Sequence, residues 1–193
     1  NGTPKAENSR GTTVAYSSRT GGGGGGGSGS SSTPTPTPGG DTVSPNDILI
    51  NEIAWMGTSS SANDEWIELR NTANQTFNLT GWTLSAQDGT PNIILSGSIS
   101  SLSFFLLERT NDQTLPNFAA DQIYLGALGN SGENLVLKDV SGTVINQVSG
   151  SNKWEINGDG IMVGDNITKK TAQRMDSGWI TAEPTPRNPN SAD

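Results

Sequence analysis

The chain has 193 residues, of which 31% are hydrophobic, 11 are Lys or Arg, 19 are Asp or Glu, and none is His or Cys. A net charge of −8 disfavours nucleic-acid phosphates as partners. The missing residue types exclude disulfides, thiolate nucleophiles, Cys-ligated zinc and a Ser-His-Asp triad.

Charge and composition divide the chain. Residues 1–40 carry three basic side chains and one acidic, net +2, whereas residues 41–193 carry eight basic and eighteen acidic, net −10. Residues 1–20 form an arm centred on "GTTVAYSSRT", in which Thr12, Thr13, Val14, Ala15 and Tyr16 make a β-branched and aromatic run. That composition suits a short strand over 12–17. Two readings stay open for it: a disordered tail, or a strand that adds to an exposed sheet edge, its own or a neighbour's. Residues 21–46 read as a linker, with a glycine tract, a Ser/Thr run and a Thr-Pro repeat that stiffens toward polyproline geometry. Thr33, Thr35 and Thr37 are its candidate O-glycosylation sites.

From residue 47 the pattern changes to short β-runs separated by Asn, Asp, Gly and Pro. In chain order these are "ILINEIAW" (48–55), "EWIELRN" (65–71), "GWTLSA" (81–86), "NIILS" (92–96), "LSFFLLER" (102–109), "QIYL" (122–125), "ENLVLKD" (133–139) and "TVINQVS" (143–149). "DVSGT" reads as a hairpin turn between the last two. No window sustains helical periodicity, so residues 47–193 are expected to be an all-β, immunoglobulin-like sandwich. The alternation of the first run breaks at Asn51 and Glu52, which leaves open one strand or two halves around a bulge.

The acids of "NDEWIEL" (63–69) are the first place to look for chemistry. On a strand, Ile67 and Leu69 share the core face, while Trp66, Glu68 and Arg70 share the other. Glu68 is therefore expected in a solvated pair with Arg70, and Trp66 beneath the Arg70 guanidinium. Such a face suits contact better than acid/base catalysis, and no catalytic residue is assigned. Asp64 and Glu65, with Asp159 and Asp165 of "NGDGIMVGDN", are weak calcium candidates, because neither segment has the regular ligand spacing. No cofactor is expected. Trp82 and Leu84 are expected in the core, and Trp154 and Trp179 over the ends of the sandwich. Asn74, Asn78 and Asn166 begin N-x-[ST] sequons and are candidate N-glycosylation sites.

"INEIAWMGTSSSANDEWIELRNTANQTFNLTGWTLS", followed by "GENLVLKDVSGTVINQV" and "TAQRMDSGWITAEPTPRNPN", closely resembles the lamin-tail domain family in its bacterial extracellular branch, over residues ~48–190. Arg187 stands where the family's closing Pro-Thr-Pro-Gly has glycine. The resemblance implies a non-catalytic immunoglobulin-like module of secreted and surface proteins, with no catalytic residue to carry over. The expected function is structural or interactive, outside the cell after removal of a leader. Self-association through the arm leads, and an accessory ligand-binding or targeting domain of a larger secreted hydrolase is the alternative. A glycan or cell-surface ligand fits either; membrane insertion fits neither.

Overall fold

The computed structural model describes residues 42–191. The arm residues Thr12, Thr13, Val14, Ala15 and Tyr16 and the linker residues Thr33, Thr35 and Thr37 lie outside them. The described residues belong to one compact unit. Residues 42–46, assigned to the linker by composition, lie against this domain. Val43 packs on the core, and Asn46 N–H donates to Ile145 O at 2.8 Å.

Twelve strands form and no helix does among the described residues. They are β1 (Ile48–Ala54), β2 (Trp66–Asn71), β3 (Phe77–Asn78), β4 (Thr83–Ala86), β5 (Asn92–Ile94), β6 (Ser98–Ile99), β7 (Phe104–Arg109), β8 (Gln122–Tyr124), β9 (Asn134–Lys138), β10 (Val144–Ser149), β11 (Thr171–Met175) and β12 (Gly178–Ala182). A six-stranded sheet runs β12-β11-β1-β2-β7-β8, a four-stranded sheet runs β10-β9-β4-β5, and β3 pairs with β6. All pairings are antiparallel except β7 with β8. This is the immunoglobulin-like sandwich expected from the strand spacing.

All eight sequence-read runs are strands, trimmed by up to two residues at an end. The two-residue strands β3 and β6 carry too little pattern to be seen. β11 and β12 are not legible in the sequence because "TAQRM" and "GWITA" are short, and they are strands by pairing, β11 on β1 and β12 on β11, rather than by propensity. The inward side chains fill one core: Ile48, Ile50, Ile53, Ile67 and Leu69 from one sheet, and Leu84, Ile93, Leu135, Leu137 and Val148 from the other. Trp82 and Leu84 are buried in it, as expected.

β1 settles the open question about its alternation. Ile50 pairs with Leu69 and Glu52 with Glu68, so Asn51 is the extra residue of a bulge within one strand. Because side chains alternate with period two, that one residue exchanges faces for the rest of the strand. Ile48 and Ile50 point inward before the bulge and Ile53 after it. Glu52 turns outward beside Glu68.

Candidate functional site: the acids of the outer sheet face and the sheet edges

Glu52 and Glu68 stand opposite each other on β1 and β2, both 0% exposed. What covers them is a strap formed by residues 183–191. Glu52 Oε1 accepts from Thr171 Oγ1 at 2.5 Å, Gln173 Nε2 at 3.1 Å and Thr185 N at 3.1 Å, and its Oε2 accepts from Thr185 Oγ1 at 2.9 Å. Glu68 Oε1 accepts from Asn51 Nδ2 at 3.0 Å, and its Oε2 accepts from Arg187 N at 2.6 Å. Asn190 completes the network, donating to Asn51 O at 3.0 Å and Arg174 O at 2.8 Å. Burial pushes both carboxyls up, against the hydrogen bonds that favour their charged forms. Glu68 rises to about 8, helped by the neighbouring charge of Glu52.

Arg187 explains how the strap keeps its turn without the family's glycine. It sits at φ 59°, a left-handed conformation that costs a non-glycine residue ~1 kcal/mol. Its N–H reaches Glu68, and its guanidinium donates to Ala119 O at 2.6 Å and Asp121 Oδ2 at 2.9 Å. Three hydrogen bonds offset the strain.

Other buried acids are used in the same way. Glu65 pairs with Arg109 at 2.9 Å and accepts from Leu128 N at 2.6 Å. Burial lifts it to about 7, against the Leu128 N–H and the Arg109 charge. Glu108 accepts from Thr114 N and Leu115 N, and Glu133 from Gly129 N, and burial raises both. Each carboxylate terminates loop N–H groups that the strands do not satisfy. The Thr114 and Tyr124 hydroxyls are buried with no hydrogen-bond partner among the described residues. Burial raises Tyr124 first, with the Glu65 charge adding to it.

Two expectations for "NDEWIEL" are corrected. Trp66 is 1% exposed and floors a 210 Å³ depression among Thr58, Leu115, Lys169 and Pro184, so it is not an open contact residue. Glu68 is not a solvated partner of Arg70, whose guanidinium lies 5.9 Å from the Phe104 ring centroid. The period-two pattern assigned the right face but the wrong environment, because loops and the strap roof this side of the sheet. Trp154, expected over an end, is 0% exposed and stacks on Trp55 with centroids 6.0 Å apart. Trp179 lies within β12, beneath the Arg174 guanidinium at 4.7 Å.

The calcium candidates do not converge. Asp64 accepts from Thr58 Oγ1, Glu65 holds Arg109, and Asp159 and Asp165 close local turns onto Ile161 N and Ile167 N. Among the described residues no three acids cluster as a metal would need. Asn74, Asn78 and Asn166 are exposed.

Three sheet edges are closed by side-chain amides acting as substitutes for backbone. Asn157 takes both Trp179 N and Trp179 O, each at 2.8 Å, along β12. Gln122 on β8 bridges to β5, donating to Ile94 O at 2.8 Å and accepting from Ser96 N at 2.9 Å. Asn146 joins the first half of β10 to the six-stranded sheet, accepting from Ile50 N at 2.9 Å and Arg174 Nη2 at 3.1 Å.

The second half of β10 differs. Gly150 N donates to Glu133 O, and Val148 pairs with Leu135. By antiparallel alternation, the main-chain groups of Gln147 and Ser149 therefore turn away from β9. Both residues are exposed, and no bond takes those groups among the described residues. A groove of about 490 Å³ runs along the first half of β10 as far as Gln147, bounded also by Pro45, Asn46, Ile145 and Arg174.

Facing carboxylates with raised pKa values outline an acid/base pair, yet here every oxygen is engaged internally and the pair is sealed under the strap. The geometry defines an immunoglobulin-like β-sandwich domain whose conspicuous acids hold its loops and its C-terminal segment. The family model of the Lamin Tail Domain matches residues 42–151, and the chain belongs to that family. β11, β12 and the strap lie beyond the matched residues. A search of characterised proteins gives no match.

The acids that matter structurally were only half legible. The break at Asn51–Glu52 signalled the bulge. The partnership of Glu52 and Glu68 with Thr185, Arg187 and Asn190 had one signal available, a Pro- and Asn-rich end too polar to be core yet following "INEI" and "EWIEL" in the same chain.

Proposed function

We propose that this lamin-tail domain is a non-catalytic, extracellular structural module that self-associates, with the N-terminal strand segment 12–17 adding to a sheet edge of a neighbouring copy. Family membership supports the non-catalytic part, together with carboxylates committed to internal hydrogen bonds. The observation that carries the associative part is the open half-edge at Gln147 and Ser149, beside other edges on which side-chain amides occupy main-chain groups. An arm of net +2 and a domain of net −10 attract each other, an effect that added salt screens. Deleting residues 1–20 should abolish assembly in light scattering and leave the melting temperature of the domain unchanged. Assembly that survives the deletion sinks this reading.

One observation favours the accessory-domain alternative. The solvent face of the four-stranded sheet is a concavity of about 510 Å³ lined by Ser85, Gln87, Asn134, Lys138, Gln147 and Ser149, neutral apart from one lysine and suited to a hydroxylated glycan. On this reading the full chain is monomeric and binds polysaccharide in affinity electrophoresis, a binding lost on Gln87→Ala with Gln147→Ala.

A further inference from the structure

Resting on the associative reading, we infer that the acceptor is the outer edge of β10 at Gln147 and Ser149, and that its occupant is the Thr12–Ser17 segment of a second copy of this chain. An added strand is held by main-chain hydrogen bonds, so an acceptor must present N–H and C=O groups at alternate residues. On β10 the outward residues are Ile145, Gln147 and Ser149. Asn46 N–H already occupies Ile145 O, which shows that this edge accepts main-chain donors in the required direction. Gln147 and Ser149 continue the row, and both are exposed.

The competing edges are covered by other segments of the domain. Asn157 holds the only two outward main-chain groups of Trp179, and Gly164 N donates to Thr181 Oγ1 further along, so the 157–164 segment lies against β12. At the seam of β5 and β8, a side chain added at Gly126 would meet Pro91 Cα at 3.1 Å, which leaves no room for a strand between them.

Length and tether are compatible. The open groups lie on Gln147 and Ser149, and the six residues of the 12–17 segment are long enough to span both. The 24 residues between Ser17 and Thr42 span up to roughly 80 Å when extended, so they reach a neighbour. The 12–17 segment is uncharged, and the groove that reaches Gln147 is lined by Asn, Gln, Pro, Val and Ile with Arg174 as its one charged residue. No carboxylate lines that groove.

Proline substitution tests the edge, because it deletes an outward N–H while leaving the β9 ladder intact. The full-length chain, Ser149→Pro, Gln147→Pro and a chain lacking residues 1–20 are compared by sedimentation velocity, with amide exchange at Gln147 and Ser149 measured in the full-length and shortened chains. Assembly is expected in the full-length chain alone, with exchange at both amides slowed at least tenfold by residues 1–20 in a concentration-dependent way. If deletion abolishes assembly and both proline variants still assemble, this acceptor is wrong while the associative reading stands. If the shortened chain assembles as well, that reading fails with it. Protection of the two amides in a monomer, independent of concentration, means the arm pairs within its own copy and overturns the intermolecular inference. Amide exchange decides the matter even where a proline variant is too unstable to assay.

Discussion

The two sheets of this sandwich treat their outer faces in opposite ways. On the four-stranded sheet, β4 and β9 alternate buried with half-buried positions, and Ser85, Val136 and Lys138 look toward solvent. On the six-stranded sheet, β1 and β2 are buried on both faces almost throughout. The difference lies in the segments that connect and extend the strands. The first sheet is joined by tight turns such as Asp139–Gly142, whereas the second is roofed by the 111–119 loop and the 183–191 strap. A roof over a polar face must satisfy main-chain groups without water, and Glu52, Glu68 and Glu108 do that. Acidity on a strand can therefore mark a covered face as readily as a wet one.

Removing the strap should break this contrast most severely. A chain ending at residue 182 deprives Glu52, Glu68 and Asn51 of their strap partners Thr185, Arg187 and Asn190, each at ~1–3 kcal/mol, so destabilisation on the order of 5 kcal/mol is expected in urea melts. Next in size, Trp66→Ala should cost ~3–5 kcal/mol, while Gln147→Ala on the open face should stay within ~0.5 kcal/mol. Equal effects at the two positions would show that the outer face over Trp66 is not packed.

The smallest expected effect is a pH dependence. Glu68 has its carboxyl raised from 4.5 to about 8 in the folded protein, so the folded state binds the proton more tightly than the unfolded chain. Its contribution is fully present below pH 4.5, declines as the pH rises toward 8, and levels off above. Glu52 shifts in the same direction. Glu68→Gln carries no titrating proton at this position, so the stability of wild type relative to this variant should fall between pH 5 and 8. A constant difference across that window would show that Glu68 is charged throughout. Arg187 has two opposed roles in the same strap. Arg187→Gly relieves the φ 59° strain but loses the guanidinium bonds to Ala119 and Asp121.

What the sequence revealed depends on how local each signal is. Eight strands, the β9–β10 turn and the core placement of Ile67, Leu69, Trp82 and Leu84 come from period-two patterning and turn chemistry. Burial of Trp66 and Glu68 does not, because it depends on segments 50 to 120 residues away in the chain. β11 and β12 escaped for the same reason. Gln122, Asn146 and Asn157 were equally unreadable, since an amide at a sheet edge has the composition of any surface amide. Their role exists only in the fold.

The central position of β1 has a consequence in time. It is the first strand of the domain to be made, yet it lies between β2 and β11, and its Glu52 is bonded to Thr171, Gln173 and Thr185. Those partners arrive more than a hundred residues later. The first strand must wait for nearly the whole domain, since such distant pairings close late. During that wait its hydrophobic side chains and one open edge are exposed to any other strand at hand, including those of neighbouring chains. The seal over the acids is the last part of the domain to be synthesised, and order at its beginning depends on its end.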